Sequence, residues 1–196
     1  MRRPAPLVVL ALSVLVGSGC APFSLYKLVE PRERSIAGAY TVQPRLAWSS
    51  VASGQVETWT IDGVALERLR FFSGIAEGQS LLGGDVGGRR PRFLPSLTRP
   101  EVAELVADSL FGSRFPARHV RPAAFGGAPG FRFELRYATD DGVKREAIVV
   151  GAVLQGRLHV IVYEGTALYH FDKYRDEVEQ IIGSIRLTTR LPRASS

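Results

Sequence analysis

The chain has 196 residues, 45% of them hydrophobic and 22% charged, with one cysteine and a formal net charge of +6. This composition belongs to a folded domain with an ordinary core and excludes disordered, collagen-like and disulfide-stapled proteins. The arginines are dispersed rather than gathered into a patch with exposed aromatics, so no nucleic-acid partner is expected.

In chain order, Arg2 and Arg3 precede an almost wholly apolar run from Leu7 to Val16, closed by Gly17-Ser18-Gly19-Cys20. A basic start, a short apolar run and small residues form a secretory signal, and the run falls short of the about twenty apolar residues a membrane span needs. The ending resembles the lipobox of bacterial lipoproteins, departing from it at Gly17, where Leu is commoner. The resemblance implies cleavage before Cys20 and diacylglycerol on its sulfur; an ordinary signal peptide followed by a free thiol is the other reading. Two or three acyl chains anchor stably, and a thioether removes a thiol exposed to an oxidising compartment. Ala21 stands where an Asp favours inner-membrane retention in enteric bacteria, which points to the outer membrane, facing the periplasm, in a cell that has one. The expected organisation is a signal peptide over 1–19, a lipidated tether over 20–35, one globular domain over 36–190 and a disordered tail over 191–196.

Tyr40-Thr41-Val42 and the alternation from Gln55 to Ile61 predict strands, Asp62-Gly63 a hairpin turn, and Val64 to Ile75 a further strand. From Gly78 to Arg99 glycines and prolines predict a long loop. That loop carries Arg89, Arg90 and Arg92, the candidate contact for an acidic partner or anionic headgroups. Thr98, Pro100 and Glu101 open a helix that ends near Gly112, with Val102, Leu105, Val106, Leu110 and Phe111 as its apolar stripe. Between Phe131 and Tyr137 aromatic and charged residues alternate, predicting a strand with Phe131, Phe133, Leu135 and Tyr137 on the core and Arg132, Glu134 and Arg136 in water. Ala147 to Leu154 and Leu158 to Tyr163 form a hairpin covered on both faces, turned at Gln155-Gly156. A final helix is capped by Asp172 and packs through Tyr174, Val178, Ile181, Ile182 and Ile185.

Strands in a row, a helix, more strands and a closing helix define the α+β class: an antiparallel β-sheet packed with two main α-helices. The order resembles the PsbP/Mog1-like fold, on Tyr40-Thr41-Val42-Gln43-Pro44 with Trp48, on the helix after Thr98, and on the run from Val160 through Phe171-Asp172-Lys173-Tyr174 to Ser184-Ile185. That resemblance implies a domain that binds other proteins or steadies assemblies, without catalytic residues to carry over.

Chemistry-bearing constellations are sparse. His119, His159 and His170 lack metal-ligand spacing, and no serine sits in a nucleophile elbow. His159 reads as a hydrogen-bonded core residue and His170 as a neighbour of Asp172. The glycines from Gly83 to Gly88 lack the Lys-Ser/Thr and the strand-to-helix setting of a phosphate cradle. The expectation is a monomeric, non-enzymatic, lipid-anchored envelope protein, without metal or cofactor, that binds a protein partner or assists assembly. The alternative is a small-ligand or lipid carrier with an apolar pocket lined by Phe131, Phe133 and Tyr137. An enzyme of a third kind would require polar residues converging in a cleft.

Overall fold

The computed structural model describes residues 26–83 and 90–188. Six strands come first: β1 (Lys27–Val29), β2 (Arg34–Ile36), β3 (Tyr40–Val42), β4 (Trp48–Ser53), β5 (Val56–Thr60) and β6 (Glu67–Ile75). Helix α1 (Arg99–Phe111) follows, then β7 (Arg121–Phe125), β8 (Ala128–Ala138), β9 (Lys144–Leu154), β10 (Arg157–Thr166), helix α2 (His170–Gly183) and β11 (Arg186–Leu187). Eight strands form one antiparallel sheet in the order β1-β4-β5-β6-β10-β9-β8-β7, and β11-β3-β2 form a second, small sheet. The fold is α+β, as the element order predicts.

Each face of the large sheet has its own cover. On one side α1 buries Val102, Ala103, Val106 and Ala107 against Phe72, Phe131, Phe133, Val149, Val160 and Val162. On the other, α2 and the small sheet bury Phe171, Val178, Ile181 and Tyr40 against Trp59, Phe71, Ile148, Val150, Ile161 and Tyr163. Strands β9 and β10 are therefore buried on both faces, which is why their sequence runs apolar without alternation. Their turn places Gln155 and Gly156 at φ of 51° and 73°, the left-handed pair a two-residue hairpin requires. Gly165 in β10 lets the start of α2 come close: a Cβ there would stand 2.6 Å from the backbone of Phe171.

Several expectations are corrected. Strand β1 and the first two residues of β2 lie inside the segment assigned to the tether, and Val29 is a core residue, so the ordered chain reaches back before residue 36. The connection between β5 and β6 is not a tight turn at Asp62-Gly63 but a loop over 61–66. Its cause is Glu67, wholly buried, which accepts hydrogen bonds from the Thr60 hydroxyl at 2.7 Å and the amides of Ile61 at 2.5 Å and Asp62 at 2.9 Å. Strand β7 was not visible in the sequence, because Pro122 and its exposed neighbours carry no strand pattern. Helix α1 starts as read, with Glu101 accepting from the Thr98 amide at 2.7 Å. Helix α2 starts earlier, at His170 after Tyr169, leaving Asp172 in the first turn rather than at the cap; Ile185 is buried beyond the helix end, and Ile182 is only half-buried.

Candidate functional site

Among the predicted site residues, Cys20 and Arg89 lie outside the described residues. Arg90 donates to the Gly83 carbonyl at 2.5 Å and Arg92 to the Gly78 carbonyl at 2.8 Å. Both guanidinium groups thus brace their own loop. Phe131 and Phe133 are buried with parallel rings 6.4 Å apart beneath α1, and Tyr137 packs on Phe111 at 5.0 Å. They are packing groups of the core, not the walls of a shared pocket.

Of the β8 face expected in water, Arg132 and Glu134 are instead tied to α2, while Arg136 is exposed, as expected. Arg132 is buried and donates to Glu179 at 2.6 and 2.7 Å and to Glu134 at 2.7 Å, while Arg175 donates to Glu134 at 2.9 Å. Periodicity finds the alternation but not its meaning, since a charged face reads as solvated unless its partner helix is known. The same holds for Glu177, on the inner face of α2, which accepts from the amides of Arg45 at 2.8 Å and Leu46 at 3.1 Å and so clamps the β3–β4 connection. Ser184 finishes the clamp: its hydroxyl accepts from the Gln43 amide at 2.8 Å and donates to the Ile181 carbonyl at 2.7 Å.

Beyond the end of α1, Glu164 is buried under two guanidinium groups. Arg68 donates to it at 2.9 and 3.0 Å, Arg70 at 2.5 Å, and the Tyr137 hydroxyl also donates. Burial alone would push the Glu164 carboxyl up. The charges of Arg70 and Arg68 and the donated hydrogen bonds overcome it and hold the group at about 2. Burial, with the like charge of Arg68, pushes Arg70 down. Nothing in the spacing of Arg68, Arg70, Tyr137 and Glu164 announces this cluster; it depends on which strands are neighbours.

His170 does not pair with Asp172. Its Nδ1 lies 2.9 Å from the Thr166 hydroxyl and its Nε2 lies 3.7 Å from Asp62. Asp62 also accepts from Lys173 at 2.6 Å and from the Tyr174 hydroxyl at 2.8 Å, and these two hydrogen bonds lower its pKa. This group fastens the β5–β6 loop to α2. The same end of the molecule gathers three connections: the Thr166 amide donates to the Leu66 carbonyl at 3.0 Å, the Ala167 amide to the Lys144 carbonyl at 3.0 Å, and Arg145 to the Ala65 carbonyl at 2.7 Å. From this rigid base Leu168 projects 96% exposed and Tyr169 57% exposed, with Leu66 and Val143 also exposed beside them. The Lys173 ammonium lies 5.5 Å from the Tyr169 ring.

Fold and surface together define an α+β domain in which Glu67, Glu164 and Glu177 serve as internal clamps and four exposed apolar side chains, Leu66, Val143, Leu168 and Tyr169, share one end. No protein-family model matches the chain, and no curated protein is similar to it. Similar solved structures include the solution structure of cyanobacterial PsbP from Synechocystis sp. PCC 6803, 17% identical over 88% of this chain and 98% of that one, with a TM-score of 0.49. A crystal structure from Bacteroides thetaiotaomicron VPI-5482 is 9% identical, with a TM-score of 0.47; it is matched by 86% of this chain, which spans 52% of that one. LpqN, involved in cell envelope biogenesis of Mycobacterium tuberculosis, is 12% identical over 85% of this chain and 80% of that one, with a TM-score of 0.35. These likenesses do not extend to function. Among the described residues no helix is long and apolar enough to cross a membrane.

Proposed function

We propose that the chain is a non-enzymatic protein of the cell envelope, held by lipid on Cys20 at the periplasmic face of the outer membrane, whose domain binds a protein partner as an assembly factor. The observation that carries the binding role is the tip of Leu168 and Tyr169 with Leu66 and Val143. A large apolar side chain left 96% exposed on a braced loop gains free energy only when something covers it. The spending of Glu67, Glu164, Glu177 and Arg132 on holding elements together supports a role in contact rather than in turnover.

The anchor has its own test. Cys20→Ser is expected to abolish labelling by a radioactive fatty acid and to leave the precursor uncleaved, because a hydroxyl does not replace the thiolate as lipid acceptor. Labelling that persists in this variant rules the anchor out. For the partner, a photo-cross-linking residue at position 168 in intact cells is expected to give a discrete protein adduct, which the same residue at Arg157, at the far end of β10, does not give. Identical adducts from both positions, or none from position 168, would count against the tip as the contact.

A further inference from the structure

We infer that the free edge of β8, from Glu134 to Ala138, takes up an extended segment of a protein partner as an added antiparallel strand, with a carboxylate of that segment opposite Arg136. This rests on the reading of the domain as a binder of protein, and it gives that partner a shape and a charge.

Strand β7 is the last of the large sheet, but it stops short of its neighbour. It pairs with β8 only from Ala128 to Arg132, whereas β9, on the other side, pairs with β8 as far as Ala138. The two hairpin turns fix which way the overhanging backbone points. Phe125 and Ala128 close a two-residue turn with Gly126 and Gly127 at positive φ, and Leu154 and Arg157 close another over Gln155 and Gly156. A closing pair of this kind exchanges hydrogen bonds, and bonded and unbonded pairs alternate from there. Counted from the first turn, Ala128, Gly130 and Arg132 bond to β7. Counted from the second turn through β9, Phe133, Leu135 and Tyr137 bond to β9, so the two ladders agree. Glu134, Arg136 and Ala138 therefore direct their amides and carbonyls out of the sheet, and no backbone group among the described residues bonds to them. Such an edge is a template for another strand.

The flanks set what that strand carries. On the α2 side Glu134 is shared by Arg121, Arg132 and Arg175, and only Arg132 has a second carboxylate, Glu179. Arg136, its side chain 82% exposed, has one ion pair, with Glu146 at 3.1 Å. On the α1 side the edge passes Leu135 and Tyr137, both half-buried, with the Phe115 ring 5.9 Å from that of Tyr137. A strand that is acidic toward α2 and apolar toward α1 complements both faces. A second copy of this chain does not. Arg121 lies beside Arg132 and closes the edge there, so the longest register open to two copies sets Glu134 opposite Ala138 and Arg136 opposite itself. Like charges directly opposite are destabilising. The edge ends at Ala138, whose β9 partner Lys144 follows Val143, so a segment bound there leads toward the exposed apolar end.

The test uses the full chain and synthetic peptides of the pattern Thr-Val-Glu-Val-Thr, blocked at both ends. Titration followed by the amide resonances of Glu134, Arg136 and Ala138 is expected to give a saturable shift. Affinity should fall at least about tenfold when Lys replaces the central Glu, and Arg136→Glu should reverse that preference. Methylating the central Glu amide should abolish binding, because it donates to the Arg136 carbonyl, whereas methylating a Val amide, which points away from β8, should leave binding intact. No saturable shift with the Glu peptide up to about 10 mM overturns the inference. So do equal losses from both methylations, or a sedimenting dimer in which these three amides resist hydrogen exchange, since a second copy then holds the edge. The cross-link at position 168 reports separately on protein binding: a discrete adduct there without any peptide shift removes the added strand alone.

Discussion

Glu164→Gln is expected to lower the free energy of unfolding by about 3 to 5 kcal/mol, the loss found when one partner of a buried ion pair is removed. The substitution keeps the shape and takes away the charge, leaving Arg68 and Arg70 side by side on one face of β6 with only a neutral amide to share. Urea unfolding at neutral pH measures this, and a loss below about 1 kcal/mol, the value of a surface pair, would show that the cluster is solvated in solution. The pH dependence has a definite sign. The Glu164 carboxyl is held at about 2 in the folded chain, against an ordinary unfolded value of about 4.3. Its contribution is therefore complete above the unfolded value and is lost as pH falls toward 2, where the native carboxylate takes its proton. The parent protein should lose stability through that window, and Glu164→Gln should lose correspondingly less.

Ile181→Ala is expected to cost about 2 to 5 kcal/mol through lost burial and the cavity left behind. Ile181 is wholly buried on the inner face of α2, in one cluster with Ile148, Val150 and Ile161 of the doubly covered hairpin. The helix reaches the sheet from a fixed angle, because Glu177 and Ser184 tie its outer half to the β3–β4 connection and Gly165 sets its start against β10. Collapse around the missing side chain is thus restricted, which places the expected loss in the upper part of the range. Thermal and urea melts check it; a variant as stable as the parent would mean that α2 is not docked through this residue.

Elements whose side chains alternate or repeat on their own were legible: both helices, the hairpin from Ala147 to Tyr163, and the core side of β8. Elements that owe their existence to a distant partner were not. Strand β2 is ordered because Arg34 and Ile36 pair with Val42 and Tyr40, and β11 because Arg186 and Leu187 pair with Thr41 and Tyr40. None has enough apolar pattern to be read alone. Charged residues failed for a related reason. Arg132 reads as solvated and Glu164 and Glu177 carry no signal, since a sequence shows that a residue is ionic but not that its counter-ion waits on another element. His159 was legible as buried, but not that its Nδ1 has no hydrogen-bond partner among the described residues.

The order in which the strands enter the fold also sets how the molecule bears a pull on its amino terminus. The first ladder such a load meets is β1 on β4, three residue pairs long, and the next is β2 on β3, again three pairs. Behind them stand the ten pairs of β9 and β10. The leading segment therefore acts as a mechanical fuse. Drawn out from Lys27 to Ile36, it adds roughly 35 Å at the reach of an extended chain, while the central hairpin, covered on both faces, stays shut.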